Sequence, residues 1–427
     1  MEAGQHSAGI YYGWWLVLVC LLIQGIATGV SIYSYSIFAG EIESAFSASR
    51  ALVMLGMTGQ SVMIALASPI LGTILDRASI KWTVIVTALV MGLGFCALSI
   101  ASSIWGFVAG YVLLVSLGLA SLSMLSTSVL LSRWFQRHRG LAIGIAALGT
   151  QLGGLTIPPL MASLIEVFDW RFTARLVGLA VAVAIPLLAY CTIVDRPSDR
   201  GLYPDGDRVP LEAAGFQGAA DKADSGWLKQ VLSDRNFWLV GFGIAVMVAM
   251  FTTVLANLSL FATDMGTPRE QAALLISLFA AVGLICSPLI GRLCDLIDTR
   301  WVFGGMLLLS ATAMSGYLTA QSYIGLAIAT GIIAISAGGL TSVWSALIGD
   351  LFDLRLYARV MGATALLTGA VASLAPVVSG WLFDSTGSYR VLFLALILLM
   401  LPILICVPLI RRGGRPPQVV EFFRAEE

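Results

Sequence analysis

Uncharged polar side chains recur at helical spacing near the start of this chain. Gln24, Thr28, Ser31 and Tyr35 are separated by four, three and four positions in an otherwise apolar stretch. This spacing places the four groups on one face of a helix. Their amide and hydroxyl groups can hydrogen-bond to a small molecule, and a polar stripe on an apolar helix is expected to point toward the protein interior.

Similar groups lie in other apolar stretches. They are Ser116, Ser123 and Thr127 in one stretch, Thr150 and Gln151 in a second, Thr253 and Asn257 in a third, and Thr341, Ser342 and Trp344 in a fourth. Serine and threonine often bond back to their own helix, so a structural role is the preferred interpretation for them. Gln24, Gln151 and Asn257 are costlier to bury and cannot satisfy a whole amide in this way, so they are the strongest candidates for solute contact.

The sequence lacks the patterns that support catalysis or metal binding. No Asp, Glu, Lys, Arg or His lies near the centre of an apolar stretch, although such residues usually mark ion pathways and proton relays. The six cysteines show no metal-ligand spacing and are interpreted as apolar packing residues. No nucleophile–base constellation is visible. We therefore expect no enzyme, no cofactor and no metal site.

The elements that position the polar groups are membrane helices. Hydrophobic residues make up 58% of the 427 positions and charged residues only 11%, which is far from the composition of soluble domains. The sequence predicts an all-α membrane protein with twelve apolar runs long enough to cross a bilayer as helices. The runs lie near 13–38, 51–75, 82–101, 104–131, 140–165, 171–194, 236–263, 271–291, 301–320, 323–349, 359–383 and 389–410.

The chain repeats itself at about half its length. The stretch Ser68-Pro69-x-x-Gly72-x-x-x-Asp76 returns as Ser287-Pro288-x-x-Gly291-x-x-x-Asp295, Arg50 aligns with Arg269, and Gly40-Glu41 aligns with Thr263-Asp264. The repeat predicts two pseudo-symmetric six-helix bundles at 1–194 and 236–412. A polar segment with several prolines and glycines, 195–235, is expected to join them as a linker, and 413–427 to form a tail.

Basic residues are distributed unequally between the predicted loops. With both termini on the inner side, most Lys and Arg lie in the inner loops, and the outer side keeps only Arg50, Arg171, Arg175, Arg269 and Arg390. This asymmetry predicts a multi-pass protein of the cell membrane whose termini and linker are cytoplasmic. The basic loops are explained by topology, so no nucleic-acid partner is expected.

Gly140, Gly144, Gly149 and Gly153 lie four and five positions apart in the fifth run. The interpretation that we prefer is a face that packs closely against a neighbouring helix.

The loop after the second run, Gly72-Thr-Ile-Leu-Asp76-Arg77-Ala-Ser-Ile-Lys81, resembles the loop signature of the major facilitator superfamily, and the loop from Gly291 through Asp295 to Arg300 matches it more weakly. The resemblance covers nearly the whole chain and implies the fold of that superfamily. It also implies that these loops latch the cytoplasmic side when the cavity faces outward. The predicted gating residues are Gly72, Asp76, Arg77, Lys81, Gly291, Asp295 and Arg300.

Three further segments resemble the bacterial relatives of the monocarboxylate and oxalate-formate carriers. They are Tyr12-Gly13-Trp14-Trp15, the run from Arg133 to Gly144, and the run from Asp195 to Gly206. The eukaryotic monocarboxylate carriers have an Asp and an Arg on the eighth helix and a Lys on the first. This chain has Gly283 and Ser287 at the first two positions and approximately Tyr33 at the third, so the carboxylate-binding residues do not carry over.

In that superfamily the first, fourth, seventh and tenth helices line the cavity. The predicted substrate-binding residues are Gln24, Thr28, Ser31, Tyr35, Ser123, Gln151, Asn257 and Trp344. The function predicted is a secondary transporter that moves a small organic solute, a monocarboxylate or aromatic acid by resemblance, by alternating access with protons as a possible co-substrate. Two alternatives stay open: a facilitator of a neutral or hydrophobic solute, and a membrane sensor that binds without transporting.

Overall fold

A computed structural model describes residues 11–206, 227–352 and 356–410, and within these ranges it gives no side-chain placement for Asp76, Trp227, Leu228, Gln230 and Ala358. The described residues contain twelve helices long and apolar enough to span a membrane. We label them α1 to α12: Tyr12–Phe46, Arg50–Leu75, Ile80–Ser99, Ile104–Trp134, Arg139–Phe168, Trp170–Thr192, Arg235–Asp264, Arg269–Leu296, Thr299–Thr319, Tyr323–Leu351, Arg359–Thr386 and Arg390–Leu409. The predicted all-α fold with twelve spans is confirmed.

The helices form two bundles, α1–α6 and α7–α12, with the same internal neighbours. In the first half α1 packs on α5, α2 on α4 and α3 on α6; in the second half α7 packs on α11, α8 on α10 and α9 on α12. The halves meet where α2 packs on α11 and α5 on α8, and these two contacts are equivalent under the repeat. The two pseudo-symmetric bundles predicted from the sequence repeat are therefore present.

Equivalent residues begin equivalent helices. The hydroxyl of Ser103 accepts a hydrogen bond from the Gly106 amide at 3.2 Å at the start of α4, and the hydroxyl of Ser322 accepts one from the Gly325 amide at 3.3 Å at the start of α10. A serine at this position satisfies one of the amides that have no partner in the first turn. The repeat thus preserves local helix signals as well as hydrophobicity.

Two helices depart from regular geometry. The α1 helix has a π-helical turn at Gly29–Tyr33, and α4 has one at Tyr111–Val115. The α4 helix is also interrupted at Ser123, whose φ of −79° and ψ of −135° end one helical segment at Leu122 and begin the next at Met124. Such irregularities occur often at functional sites.

The α1 and α5 helices approach so closely that only glycine fits at two of the four positions predicted to form a packing face. A Cβ atom at Gly149 would lie 2.0 Å from the Leu21 carbonyl oxygen, and one at Gly153 would lie 2.0 Å from that of Gly25. Gly140 and Gly144 meet nothing within 4 Å. The prediction is thus correct for Gly149 and Gly153 and wrong for Gly140 and Gly144, where the space beside the helix is open.

The bundle has two ends, which we call the linker face and the far face. The linker face carries residues 195–206 and both ends of the described chain, and the far face carries the loop from α1 to α2 and the loop from α7 to α8. The halves are in direct backbone contact near the far face, where a Cβ atom at Gly380 on α11 would lie 2.7 Å from the Cα atom of Ala51 on α2.

Candidate functional site

Two pairs of polar side chains link α1 to α5 near the middle of the bundle. Gln24 and Tyr33 lie on α1, and Thr150 and Gln151 lie on α5. The Thr150 hydroxyl donates a hydrogen bond to Gln24 Oε1 at 3.4 Å, and the Tyr33 hydroxyl donates one to Gln151 Oε1 at 2.9 Å. We call these four residues the amide cluster. It contains Gln24 and Gln151, two of the three residues that the sequence favoured most, one in each pair.

Gln24 is the member of the cluster whose amide nitrogen is buried without a hydrogen-bond partner among the described residues. Its side chain is buried, with 2% of the residue exposed. A buried donor without a partner costs about 1–3 kcal/mol. An acceptor oxygen of a bound solute would remove that cost, so Gln24 is the group in the cluster that is best prepared to bind one.

Gln151 lies at the junction of the two halves. A Cβ atom placed on Gly283 of α8 would lie 3.5 Å from Gln151 Nε2. Tyr33 and Gly283 are the positions at which the eukaryotic monocarboxylate carriers have a Lys and an Asp by the resemblance above. In this protein Tyr33 and Gly283 both lie beside Gln151. The neutral amide of Gln151 therefore lies where the resemblance would place a Lys and an Asp.

The break in α4 lies at about the depth of Gln24. One turn before Gln24, Cys20 contacts Thr127, which lies one turn after Ser123. Because α1 and α4 run in opposite directions, moving one turn toward the far face along both helices brings Gln24 and Ser123 to the same level. The backbone amides at the start of the segment Met124–Trp134 have no acceptors within that helix.

Three of the predicted binding residues use their hydroxyl groups inside the first half. Thr28 donates to the Gln24 carbonyl at 2.6 Å, Ser31 donates to the Ala27 carbonyl at 2.5 Å, and Tyr35 donates to the Val53 carbonyl. All three residues are buried. The polar stripe faces the interior, but these hydroxyls are already bonded to the backbone, as the structural interpretation of serine and threonine anticipated.

Asn257 and Trp344 are also bonded within the protein. Asn257 Nδ2 donates to the Thr253 carbonyl at 2.9 Å and to the Ser379 hydroxyl at 2.8 Å, and Asn257 Oδ1 accepts from the Tyr389 hydroxyl at 3.2 Å. Trp344 Nε1 donates to the Thr364 hydroxyl at 3.1 Å. The structure therefore does not bring Asn257 or Trp344 into the amide cluster.

Tyr389 connects Asn257 to a group of charged residues at the far face. The Arg50 guanidinium donates to the Tyr389 hydroxyl at 2.8 Å and forms two hydrogen bonds with Asp264, at 2.6 and 2.7 Å. Its Nε lies 3.2 Å from a carboxylate oxygen of Glu43. Arg50 is the one charged residue among the buried residues of the described chain, and 6% of it is exposed.

A second ion pair lies beside the first. Arg269, the first residue of α8, donates to the Glu41 carboxylate of α1. The two arginines and their carboxylates line an open vestibule of about 550 Å³ on the far face. The sequence predicted that Arg50 and Arg269 lie on the outer side, but it did not identify them as functional residues, because they lie at helix ends and not at membrane depth.

No hydrogen bond or ion pair joins the described atoms of the loop-signature residues to the opposite half. A Cβ atom at Gly72 would meet nothing within 4 Å, one at Gly291 would lie 3.5 Å from the Ser342 hydroxyl of its own half, and Arg77 and Asp295 are exposed. The side chain of Asp76 lies outside the described atoms.

Lys81 and Arg300 have partners in their own halves as well. The Lys81 amide donates to Asp195 at 3.0 Å, and the Lys81 ammonium lies 4.4 Å from the centre of the Tyr190 ring. Arg300 pairs with Asp298 at 2.7 Å and donates to the Ile410 carbonyl at 2.7 Å. Each residue thus ties together the loops of one half.

The three segments that resemble the monocarboxylate carriers form one cluster on the linker face. The Tyr11 hydroxyl, just before the first segment, lies within hydrogen-bond distance of the Trp134 carbonyl oxygen at 3.1 Å and of the Tyr203 carbonyl oxygen at 3.0 Å. The Arg200 guanidinium lies 3.7 Å from the centre of the Tyr12 ring. Since each contact joins different segments, the cluster packs them against one another and explains why they occur together.

Asp205 anchors the end of this cluster at the start of α5. Its carboxylate accepts hydrogen bonds from the amides of Gln136, Arg137 and His138 at 2.7, 2.9 and 3.3 Å. Partial burial opposes ionisation, but these hydrogen bonds and the nearby His138 outweigh it and hold the pKa of Asp205 below its usual range. The segment 195–206 is thus fixed to the first half.

The described helices thus form two related six-helix halves, with polar groups at their junction and ion pairs at one face. The family model of the Major Facilitator Superfamily matches residues 17–268 and 238–426, and the chain belongs to this family. The protein is therefore a transporter and not an enzyme.

Curated relatives and solved structures agree with this assignment. Monocarboxylate transporter 11 of Mus musculus is 27% identical over 408 residues, covering 92% of this chain and 85% of the relative. Monocarboxylate transporter 4 of Rattus norvegicus is 23% identical over 402 residues, covering 90% and 79%. A bacterial homologue of the human lysosomal transporter Spinster, in an inward-facing and occupied conformation, superposes with a TM-score of 0.71 at 16% identity, covering 94% of this chain and 96% of that structure; it supports the fold.

Proposed function

We propose that this protein carries a small monocarboxylic or aromatic acid across the cell membrane by alternating access, and that the acid binds at the amide cluster. The observation that carries the proposal is the buried Nε2 of Gln24, which lacks a hydrogen-bond partner among the described residues although the Gln24 Oε1 accepts from Thr150. The similarity to monocarboxylate transporters supports the substrate class. The neighbouring positions Tyr33 and Gly283 support the location.

The acid crosses in its neutral form, with the proton travelling on the substrate. Arg50, at the far face, is the one charged residue among the buried residues of the described chain, so a carboxylate in the amide cluster would lack a counter-charge. A protonated acid needs only neutral donors and acceptors, which Gln24, Gln151 and Tyr33 provide. Transport of this kind has the stoichiometry of proton symport without a proton-binding residue at membrane depth.

The orientation that fits this cycle places the linker face in the cytoplasm, because the linker face carries most of the basic residues. In the described conformation the halves touch near the far face, and no hydrogen bond or ion pair joins the described atoms of the loop-signature residues on the linker face to the opposite half. We infer that the loops containing Gly72, Arg77 and Asp295 contact the opposite half when the cavity opens to the far face.

The proposal is tested by uptake of labelled lactate, pyruvate, benzoate and glycerol into proteoliposomes, with and without an inward proton gradient. Gln24→Leu should raise the KM for the transported acid about 3–10-fold, the effect of one lost neutral hydrogen bond, with thermal stability unchanged or increased. Gln60→Leu is the matched control, because the Gln60 amide donates to the Tyr111 hydroxyl at 3.1 Å inside the first half. It should lower stability and leave KM unchanged.

A neutral or hydrophobic solute is the second candidate substrate, and the uncharged amide cluster favours it directly. The same assay separates the two candidates. Saturable acid uptake that is weakened by Gln24→Leu supports the acid carrier. Saturable uptake of glycerol alone would overturn the assignment of an acid and leave the transporter assignment intact.

A further inference from the structure

The ion pairs at the far face exchange partners between the two halves. Arg50 is the first residue of α2 and Arg269 is the first residue of α8, so the arginines occupy equivalent positions of the repeat. Each bonds a carboxylate near the end of the first helix of the other half: Arg50 bonds Asp264 on α7, and Arg269 bonds Glu41 on α1. The two pairs are therefore reciprocal, and neither half can form either pair alone.

The Arg50–Asp264 pair is more buried than the Arg269–Glu41 pair and makes more contacts. Both Nη atoms of Arg50 bond Asp264 in the bidentate arrangement that makes arginine–carboxylate pairs strong. The guanidinium carbon also lies 3.8 Å from the centre of the Phe383 ring on α11. A cation over an aromatic face gains further when water is excluded.

A third carboxylate joins the helices at the same place. Asp384, near the end of α11, accepts hydrogen bonds from the backbone amides of Arg50 and Ala51, both at 2.9 Å. It therefore caps the start of α2 from the opposite half and reinforces the Arg50 pair. The Arg269 pair is half-buried, with 35% of the Arg269 side chain and 27% of the Glu41 side chain exposed.

We propose that the two reciprocal ion pairs are the gate that closes the far face during transport, with Arg50 as its main element and Arg269 as its secondary element. The pairs form only when α1 meets α8 and α7 meets α2, so the far face cannot open while both are intact. Asn257 and Ser379 support the gate through Tyr389, because these residues hold the hydroxyl to which Arg50 donates. This inference rests on the alternating-access part of the proposed function.

The gate is tested by measuring the access of water to a residue beneath it. Ser36 lines the vestibule and is 1% exposed. In a variant without the six native cysteines, Ser36→Cys is reacted from the far face with a membrane-impermeant thiol reagent. Opening of the gate should accelerate the reaction. No substrate is added, so the reading does not depend on which solute is carried or on whether the amide cluster binds it.

The expected rates differ between the two pairs. Asp264→Asn should accelerate modification of Ser36→Cys about tenfold or more, because it removes the charge of the opposite half that binds the buried Arg50 in two hydrogen bonds and leaves Arg50 paired only with Glu43 of its own half. Glu41→Gln should accelerate it about twofold to fivefold, because its pair is partly exposed to water. Arg171→Gln is the matched control: Arg171 is an arginine near the same face whose guanidinium bonds the carbonyls of Ser99 and Ala101 within its own half, and its removal should leave the rate unchanged.

Reversing the charges of the Glu41–Arg269 pair distinguishes an effect on the gate from an effect of misfolding. Glu41→Arg should open the gate strongly, because two cations would then face each other, and adding Arg269→Glu should restore slow modification. Recovery in the double variant supports the gate. Unchanged reactivity in Asp264→Asn, with the protein folded by thermal stability, would overturn the proposal, and so would a failure of the double variant to recover although it is folded.

Discussion

Two buried primary amides in this protein have opposite hydrogen-bonding states, and the difference decides what each can do. Gln24 has a donor without a partner, whereas Asn257 has partners for both its nitrogen and its oxygen. A polar group that is already satisfied gains little from a ligand, because binding would replace one hydrogen bond with another. We therefore assign Gln24 to substrate binding and Asn257 to support of the gate.

Replacing Asn257 should affect stability and gating more than affinity. Asn257→Ala removes one hydrogen-bond partner from each of the Ser379 and Tyr389 hydroxyl groups, and interhelical hydrogen bonds of this kind contribute about 0.6–2 kcal/mol in membrane proteins. The melting temperature of the purified protein in detergent should fall, while the KM for the transported acid should stay within about twofold. Asn257→Asp is the companion variant, since it keeps an acceptor for Tyr389.

An Asn257→Ala protein with an unchanged melting temperature and a strongly raised KM for the transported acid would show instead that Asn257 contacts the substrate. The sequence could not decide this question. It showed that an amide lies on an apolar helix, but the groups that satisfy Asn257 are on α11 and just before α12, more than 100 positions away in the chain. Spacing along one helix carries no information about such partners.

At the scale of the helices, the closest approach measured at a glycine of the described chain is the one between α1 and α5. It brings Gln24 next to Thr150, and it depends on Gly149 and Gly153, because a side chain at either position would collide with the α1 backbone. The amide cluster is therefore positioned by backbone packing. A small change in the separation of α1 and α5 would displace Gln24 from Thr150.

Alanine substitution along α5 should separate packing glycines from open ones. Gly153→Ala places a methyl group 2.0 Å from the Gly25 carbonyl oxygen, so α1 and α5 must move apart. Overpacking of this kind costs about 1–3 kcal/mol or more. We expect a lower yield of monodisperse protein in size-exclusion chromatography and loss of transport. Gly144→Ala, where nothing lies within 4 Å, should behave as the wild type. Equal behaviour of the two variants would contradict the role given to this contact.

The capping of α5 by Asp205 predicts a dependence of stability on pH. The folded-state pKa of Asp205 is depressed, so its contribution is present above the unfolded-state value of about 3.9 and is lost as the pH falls through the lower folded-state value. Asp205→Ala should destabilise the protein at pH 7 by about 0.5–1 kcal/mol, the lower part of the range for helix caps because solvent screens the site.

Thermal unfolding of wild type and Asp205→Ala between pH 7 and pH 3 measures this difference. The gap between the two melting temperatures should be constant near neutral pH and should narrow below about pH 4. Asp205→Asn should fall between them, because an amide oxygen still accepts hydrogen bonds from the backbone. A gap that widens on acidification would contradict the sign of the pKa shift.

The helices were the most predictable part of the fold. Runs of apolar residues identify spans because every backbone group in a bilayer must be satisfied within a helix. The prediction ended the first span at 38, whereas α1 continues to Phe46 beyond the most apolar stretch. The π-helical turns and the break at Ser123 left no signal in composition or period, because each depends on contacts with other helices, such as the bond from the Tyr111 hydroxyl to the Ser31 carbonyl at 2.7 Å.

For the whole molecule, the arrangement of charge determines what form of substrate can cross. Ion pairs lie at the far face, basic loops lie at the linker face, and the described interior between them contains polar groups without charge. A single unpaired charge in such an interior is costly. The molecule is therefore suited to an electroneutral process.

Uptake of benzoate or lactate should follow the proton gradient and ignore the membrane potential. Because the acid crosses as a neutral species, the cycle moves no net charge, and a potential imposed with potassium and valinomycin should leave the initial rate unchanged. An inward proton gradient of one pH unit should raise the concentration of neutral acid outside, and with it the rate at low substrate, about tenfold. Uptake that changes with the potential would show that the anion crosses alone.

The reciprocal ion pairs have the form of an isologous interface, in which residue i of one unit contacts residue j of another and j contacts i in return. Two identical six-helix units with an arginine beginning the second helix and a carboxylate ending the first would form both pairs at once by two-fold symmetry. When the two units are joined in one chain, their sequences no longer have to be identical. A substitution in one half no longer has a copy in the other, so the Arg50 contact can become buried and aromatic while the Arg269 contact stays open to water, and the two can contribute unequally to one movement.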